Sequence, residues 1–260
     1  MKFDSSKILK GIFGGDDPGT SSTVLVAFSG PVRYGRMGIR DCFAGISKIK
    51  AGERTLTAIE QHFREALKAF QEEYIFRHPA FASGSMDIAY LVGIQSRGEL
   101  QLFATDDAAM EPVPYQCVGS GAYLATFLLS RSPWDFAKLG LEEMAFWTIN
   151  MLMRVKPYDP YCGGWSELQF LKNDGSFSRV SHFEISERER YLEHLDRATQ
   201  ALFMDCTRRS TSEVDFQNSL RRFEEAMARV RENWRDRQSE YEALFSALRK
   251  TFGPNEPELE

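Results

Sequence analysis

Residues 118–176 constrain the fold more than any other stretch. Gly119-Ser120-Gly121 closes a short apolar run and opens Ala122–Ser130, which is apolar on nearly every face. A glycine turn at such a junction implies a strand passing into a buried helix, with the Ser120 hydroxyl held at the crossing. A second helical segment follows over Leu141–Val155. There Met144, Phe146, Trp147, Ile149, Met151 and Leu152 put apolar side chains on most faces, as suits a helix packed between a sheet and a neighbour. Tyr158-Asp159-Pro160-Tyr161-Cys162-Gly163-Gly164 then makes another tight turn, and residues 165–181 read as a hairpin on Asn173-Asp174-Gly175. Two glycine turns carrying small polar side chains thus bracket a helix pair.

Upstream, residues 5–13 and 23–28 read as two strands joined by a loop dense in turn residues. Asp16-Asp17 in that loop reads as a solvated turn, with cation binding as the alternative. Residues 32–49 form a glycine-interrupted helix. Residues 55–76 form a stronger one, because Leu56, Ile59, Phe63, Ala66, Leu67 and Phe70 recur every three or four positions behind a Thr55 or Thr57 cap. Residues 87–95 and 99–104 make a hairpin across Ser96-Arg97-Gly98, and residues 113–118 make the strand leading to Ser120. The sum is sheet on sheet with helices outside.

The order of VGSGA, a helix pair, D-P-Y-C-G-G and a hairpin resembles the C-terminal half of proteasome β subunits and their bacterial relatives, the N-terminal-nucleophile (Ntn) hydrolases of threonine-peptidase type. The similarity covers about residues 5–180. It implies an α+β fold, an αββα sandwich of two antiparallel sheets between helix layers, and peptide-bond hydrolysis by an amino-terminal threonine.

The resemblance implies roles residue by residue. Lys7, in SSKILKGI, matches the lysine that tunes the nucleophile; a surface strand lysine is the competing reading. Gly30, ending VLVAFSG, matches the glycine whose N–H forms the oxyanion hole. Ser120 matches the serine that hydrogen-bonds near the nucleophile's amine, Asp159 the aspartate that orients it, and Cys162 falls where the family carries a second serine. Ala122 likewise replaces a small hydroxyl residue. Lys7 stands so near the start that the hairpin bearing the threonine and the acid paired with the lysine is missing, so residues 1–185 read as an N-terminally truncated version of the family domain. Three readings stay open: a hydrolase whose natural chain begins upstream with threonine, a non-catalytic homologue that serves assembly, and an unrelated α+β protein whose glycine turns imitate the family.

Beyond residue 185 the composition shifts to helix. Residues 188–208 carry Leu192, Leu195 and Leu202 on one side, and Ser210-Thr211-Ser212-Glu213 supplies a stop and a new N-cap. Phe216, Leu220, Phe223, Met227, Val230, Trp234, Tyr241, Leu244 and Leu248 then follow steps of four and three, broken only at Arg237. That is a coiled-coil seam, on the order of 50 Å long as one helix. It needs either a partner chain, giving a homo-oligomer as ring or dimer, or an antiparallel hairpin with residues 188–208. Residues 186–252 are accordingly read as a helical extension and 253–260 as a flexible tail.

Composition removes other classes. A net charge of -5 gives no footprint for nucleic acid. No apolar run approaches the roughly 18–20 residues of a membrane span, and residues 1–10 lack a signal peptide's apolar core, so a cytoplasmic protein is expected. Cys42, Cys117, Cys162 and Cys206 are widely separated with no C-x-x-C pair, and His62, His78, His182 and His194 are equally scattered, which argues against a disulfide framework, a metal site or any cofactor. A Ser-His-Asp hydrolase is disfavoured because Gly-Ser-Gly lacks the wider G-x-S-x-G spacing.

Overall fold

A computed structural model describes residues 7–14, 21–80, 87–106, 109–132, 138–162 and 165–252, with side chains described to residue 235. Asp16-Asp17, Gly163-Gly164, the tail 253–260 and the side chains of Tyr241, Leu244 and Leu248 lie outside the described residues. The chain divides into two compact units, 1–182 and 183–260.

The first unit is α+β and is built on a five-stranded antiparallel sheet in the order β1-β2-β3-β4-β5. Its strands are β1 (Ile8–Phe13), β2 (Ser22–Phe28), β3 (Tyr90–Ser96), β4 (Glu99–Asp106) and β5 (Ala109–Pro112). Between β2 and β3 the chain leaves the sheet for two helices, α1 (Val32–Ser47) and α2 (Leu56–Phe70). Thr55 caps α2 by accepting from the Ala58 N–H at 3.1 Å, which satisfies one of the orphan donors of its first turn. The helix ends in a single π turn, Gln71–Ile75.

Period-two alternation decides which face of the sheet the helices cover. Val24, Val26 and Phe28 of β2 and Tyr90, Val92 and Ile94 of β3 point one way, into Ile39, Cys42 and Ile46 of α1 and Ile59, Phe63 and Leu67 of α2; every one is at most 4% exposed. Gly35 lets α1 settle on the Phe28 ring, where any Cβ would collide.

The opposite face carries the second sheet, the hairpin β6 (Leu168–Leu171) and β7 (Phe177–Val180). Its turn lies on residues of β2 and β3 that point away from the helices. Thr23 Oγ1 donates to the Gly175 carbonyl at 3.3 Å, Gln95 Nε2 donates to the Asn173 carbonyl at 3.0 Å, and Leu171 lies over Gly93. Lys10 of β1 stands over the Phe177 ring at 4.1 Å on the same face. Two further helices, α3 (Ala122–Ser130) and α4 (Leu141–Val155), pack on one another and complete the unit.

Two sequence expectations are corrected here. Residues 113–118 are irregular, not a strand; the last strand is Ala109–Pro112, paired with β4 from Asp106↔Ala109 to Phe103↔Pro112. Pro112 and Pro114 bracket the point where pairing stops, since proline has no N–H for a ladder. The helix expected over 55–76 changes pitch at Gln71, which turns both Gln71 and Ile75 inward at 2% exposure.

The second unit is an antiparallel helix pair, α5 (His182–Thr207) and α6 (Glu213–Phe252). Ser212 caps α6 by accepting from the Asp215 N–H at 3.1 Å. Near the turn Ser219 donates to Asp205 at 2.5 Å, and far from it the Arg188 guanidinium stacks on Trp234 at 4.3 Å while pairing with Glu184 at 3.1 Å. The hairpin alternative for the heptad helix is therefore the arrangement within the chain. The buried line of α6 is Ser219 and Ala226, one heptad apart, while Phe216, Leu220, Phe223, Val230 and Trp234 are half-buried and Met227 is 47% exposed. Of the apolar seam Trp234 meets α5 through Arg188, while the fully buried positions of α6 are the small Ser219 and Ala226.

Candidate functional site

Asp159 is the centre of the cluster that the two glycine turns build. It follows α4, with its N–H donating to the Val155 carbonyl at 3.2 Å, so the end of the helix sets its position. The side chain is 5% exposed. Burial by itself pushes the carboxyl up, but the Tyr161 N–H, the Ser120 hydroxyl, the Cys162 thiol and the Cys162 N–H all donate to this residue's carboxylate and hold it below the usual carboxylate range. The Tyr161 N–H bond is 2.8 Å, and the Cys162 N–H also lies 3.0 Å from the Asp159 main-chain carbonyl.

Ser120 and Cys162, far apart in sequence, meet across this carboxylate with Oγ and Sγ at 3.7 Å. Gly121 makes the meeting possible, because a Cβ there would stand 2.5 Å from the Cys162 sulfur and 2.6 Å from Val155. Ser120 therefore reaches the carboxylate past a residue without a side chain.

The end of β2 approaches the same turn. Gly119, at φ 103°, is so close to Ser29 that a Cβ would lie 3.1 Å from the serine's Cβ. Gly30, at φ 97°, lies against the Asp87 carbonyl, where no side chain fits. Lys7 immediately precedes β1, opposite the end of β2, its carbonyl accepting from the Phe28 N–H at 3.1 Å. The structure thus brings Ser120, Asp159 and Cys162 into mutual contact, with Gly30 beside them by way of Ser29 and Gly119. Lys7 is solvent-exposed, and none of the described acidic side chains pairs with it.

No base stands ready to activate either the serine or the thiol: no described histidine stands at the cluster, and His182 is stacked on Trp165 at 4.0 Å. What the cluster presents outward is the exposed Ser120, whose oxygen lies within reach of Cys162 and the buried Asp159.

Sequence reasoning missed Ser29, which only the fold brings to the Gly119 turn, and a group of exposed aromatics around the cluster. Tyr123 and Phe127 of α3 are 66% and 58% exposed, Tyr158, Tyr161 and Trp165 more so. Their signal is the apolar-all-round composition of Ala122–Ser130, and the expectation of a buried helix there is corrected: Leu129 is that helix's one buried residue.

No family model matches the sequence, and no curated protein matches it either. Solved structures do match the fold. The chain is similar to Anbu (ancestral beta-subunit) from Yersinia bercovieri, with a TM-score of 0.56 and 12% identity over 76% of this chain and 85% of that one. A Gly-1 mutant of Anbu from Hyphomicrobium sp. strain MC1 gives 0.56 and 12% over 75% and 84%, and Anbu from the same strain gives 0.51 and 14% over 77% and 88%. These correct the resemblance stated from sequence. The similar structures are Anbu proteins, proteasome-like but a family distinct from the proteasome β subunits and threonine-type Ntn hydrolases, and none of the three is described as either. The fold is proteasome-like, and at this level of identity the likeness speaks for the fold alone.

Proposed function

We propose that the Ser120–Asp159–Cys162 cluster is the orienting half of an amide-hydrolysing centre, with peptides as substrate. An N-terminal threonine contributed by a longer natural chain would supply the nucleophile. One observation supports this reading: a buried carboxylate whose donors include an exposed serine in the same turn as the left-handed Gly119. Such a serine holds an amine in place without being consumed itself. Gly30 would offer its N–H to a developing oxyanion, and Lys7, at the same end of the sheet, would lower the threonine's effective pKa when desolvated by substrate.

The test is treatment of the protein purified from its own source with a β-lactone, followed by intact mass and N-terminal sequencing. A label on an N-terminal threonine upstream of Met1 supports the reading, and an unlabelled chain starting at Met1 or Lys2 ends it.

A second reading, a non-catalytic assembly protein, is favoured by the exposed large aromatics Tyr123 and Phe127 of α3, Tyr158 and Tyr161 of the turn after α4, and Trp165, because exposed apolar surface of this kind marks interaction sites. It takes a cytoplasmic homo-oligomer, a ring or dimer, with α6 contributing its half-buried seam as a coiled coil between copies. Light scattering decides it: an oligomer that survives truncation after Ser210 removes α6 from the assembly, and a monomeric parent protein removes the assembly altogether. Among the described residues no helix is long and apolar enough to cross a membrane.

A further inference from the structure

α5 and α6 give each other one neighbour, and the heptad seam of α6 shows which of its flanks that neighbour takes. Leu220, Met227 and Trp234 occupy a positions and Phe216, Phe223 and Val230 occupy d positions, which puts Ser219 and Ala226 at g and Gln217, Glu224 and Arg231 at e. The g flank faces α5: Ser219 donates to Asp205 there, and both small residues are at most 5% exposed. The e flank, on the other side of the seam, is exposed at all three positions. Between the two flanks the apolar side chains are only partly covered, with Met227 at 47% exposure.

A helix in a four-helix bundle has one neighbour on each flank and turns its seam to the centre. The exposed e flank shows that α6 has the first neighbour and, among the described residues, not the second, so the hairpin supplies half of such a bundle. Resting on the assembly reading above, we propose that the other half is the hairpin of a second copy of this chain. The two hairpins join through an antiparallel contact of α6 with α6, about a two-fold axis level with Ala228 and Arg229.

Charge fixes both the direction and the register. In an antiparallel pair the e flank meets the partner's e flank, whereas in a parallel pair it meets g. Here g carries Ser219 and Ala226, small, uncharged and already turned to α5, so the e charges find no counterpart in a parallel pair. About the proposed axis Met227 stacks on Val230 of the second copy and Phe223 on its Trp234. The same register sets Glu224 of each copy against Arg231 of the other, and the symmetry makes that pair twice. A slip of one heptad in one direction brings Glu224 against Glu224, and a slip in the other brings Arg231 against Arg231. Like charges therefore penalise both neighbouring registers, and the charge pattern selects one.

The experiment is sedimentation velocity of the full chain over a dilution series at low salt, with charge changes confined to the exposed e positions. Glu224→Arg and Arg231→Glu each turn both ion pairs into like-charge contacts and are expected to weaken self-association at least about tenfold. The double variant Glu224→Arg/Arg231→Glu exchanges the charges and should return it to within about threefold of the parent. Mixing the two single variants should give a heterodimer tighter than either variant's own dimer, because every e contact is then between opposite charges. Circular dichroism should show the same helix content throughout, since each change lies on an exposed flank. A parent that self-associates but ignores both single changes overturns this interface and leaves assembly through another surface standing. A parent that stays monomeric at every concentration overturns the assembly reading together with it. A double variant as weak as the singles, or single variants that do not prefer each other when mixed, overturns the antiparallel register.

Discussion

The two faces of the five-stranded sheet are covered by different kinds of element, to opposite effect. On one face α1 and α2 seal Val24, Val26, Tyr90, Val92 and Ile94 to 0% exposure. On the other, the β6–β7 hairpin meets the sheet partly through polar contacts at Thr23 and Gln95, and α3 displays Tyr123 and Phe127 to solvent. A dry face stabilises the fold through close packing; the wetter face leaves chemistry and recognition open. The difference teaches where this molecule is rigid by construction and where it has surface to spend on partners.

The sharpest way to break that contrast compares one residue type on both faces. Phe63→Ala, on α2, is expected to cost about 3–5 kcal/mol in urea unfolding, because a fully buried ring leaves a cavity, whereas Phe127→Ala, on α3, should change stability by less than about 0.5 kcal/mol. Equal losses would show that α3 is covered by a partner under the conditions of measurement.

Overpacking tests the same seal from the opposite direction. Gly35→Ala forces a methyl into the Phe28 ring and is expected to cost about 1–3 kcal/mol, read as a lower urea midpoint at unchanged slope. A neutral result would mean that α1 can lift from the sheet.

On the wetter face the expected effect is a pH dependence. The folded Asp159 carboxyl sits below its unfolded value, so its contribution is fully present above the ordinary carboxylate range and is lost as pH falls through the folded value. Asp159→Asn should therefore flatten the acid limb of stability against pH and leave the alkaline limb unchanged. An unaltered acid limb would mean that the four donors do not hold the carboxylate in solution.

The smallest effect lies within the dry face. The Tyr90 hydroxyl is buried with no partner among the described residues. Tyr90→Phe should be neutral or stabilising by up to about 1 kcal/mol in thermal melts, and a clear loss would reveal an ordered water bonded there.

Much of the dry face was legible in the sequence, since its signals are local. The Thr55 cap, the three-and-four spacing from Ile59 to Phe70 and the strand alternation each act within a few residues. The hairpin turns were equally readable, with Arg97 and Gly98 at φ 52° and 81° closing β3 on β4 as a type I′ turn demands. Residues 113–118 misled because Val113, Tyr115 and Cys117 alternate like a strand while Pro112 and Pro114 deny it a ladder. The convergence of Ser120, Asp159 and Cys162 follows from how α4 directs its C-terminus, which no spacing encodes; the order of motifs suggested it only through the resemblance. Composition misled at α3, where an all-apolar helix meant an exposed surface. In α6 the strongest periodicity in the chain marked a half-buried stripe, while Ser219 and Ala226, too small to register in a hydrophobic pattern, face inward.

The route of the chain between β2 and β3 has a kinetic consequence. These two strands are central neighbours in the sheet, joined from Ser22↔Ser96 to Phe28↔Tyr90, yet α1 and α2 both lie between them in sequence. The β3–β4 hairpin and the α1–α2 pair can each form from nearby residues, but closing β2 on β3 must first restrain the long segment between them. That zipper is therefore expected to dominate the folding barrier. Mutations in β3 facing β2 should slow refolding, while those in β5, added last at the far edge, should show chiefly as faster unfolding.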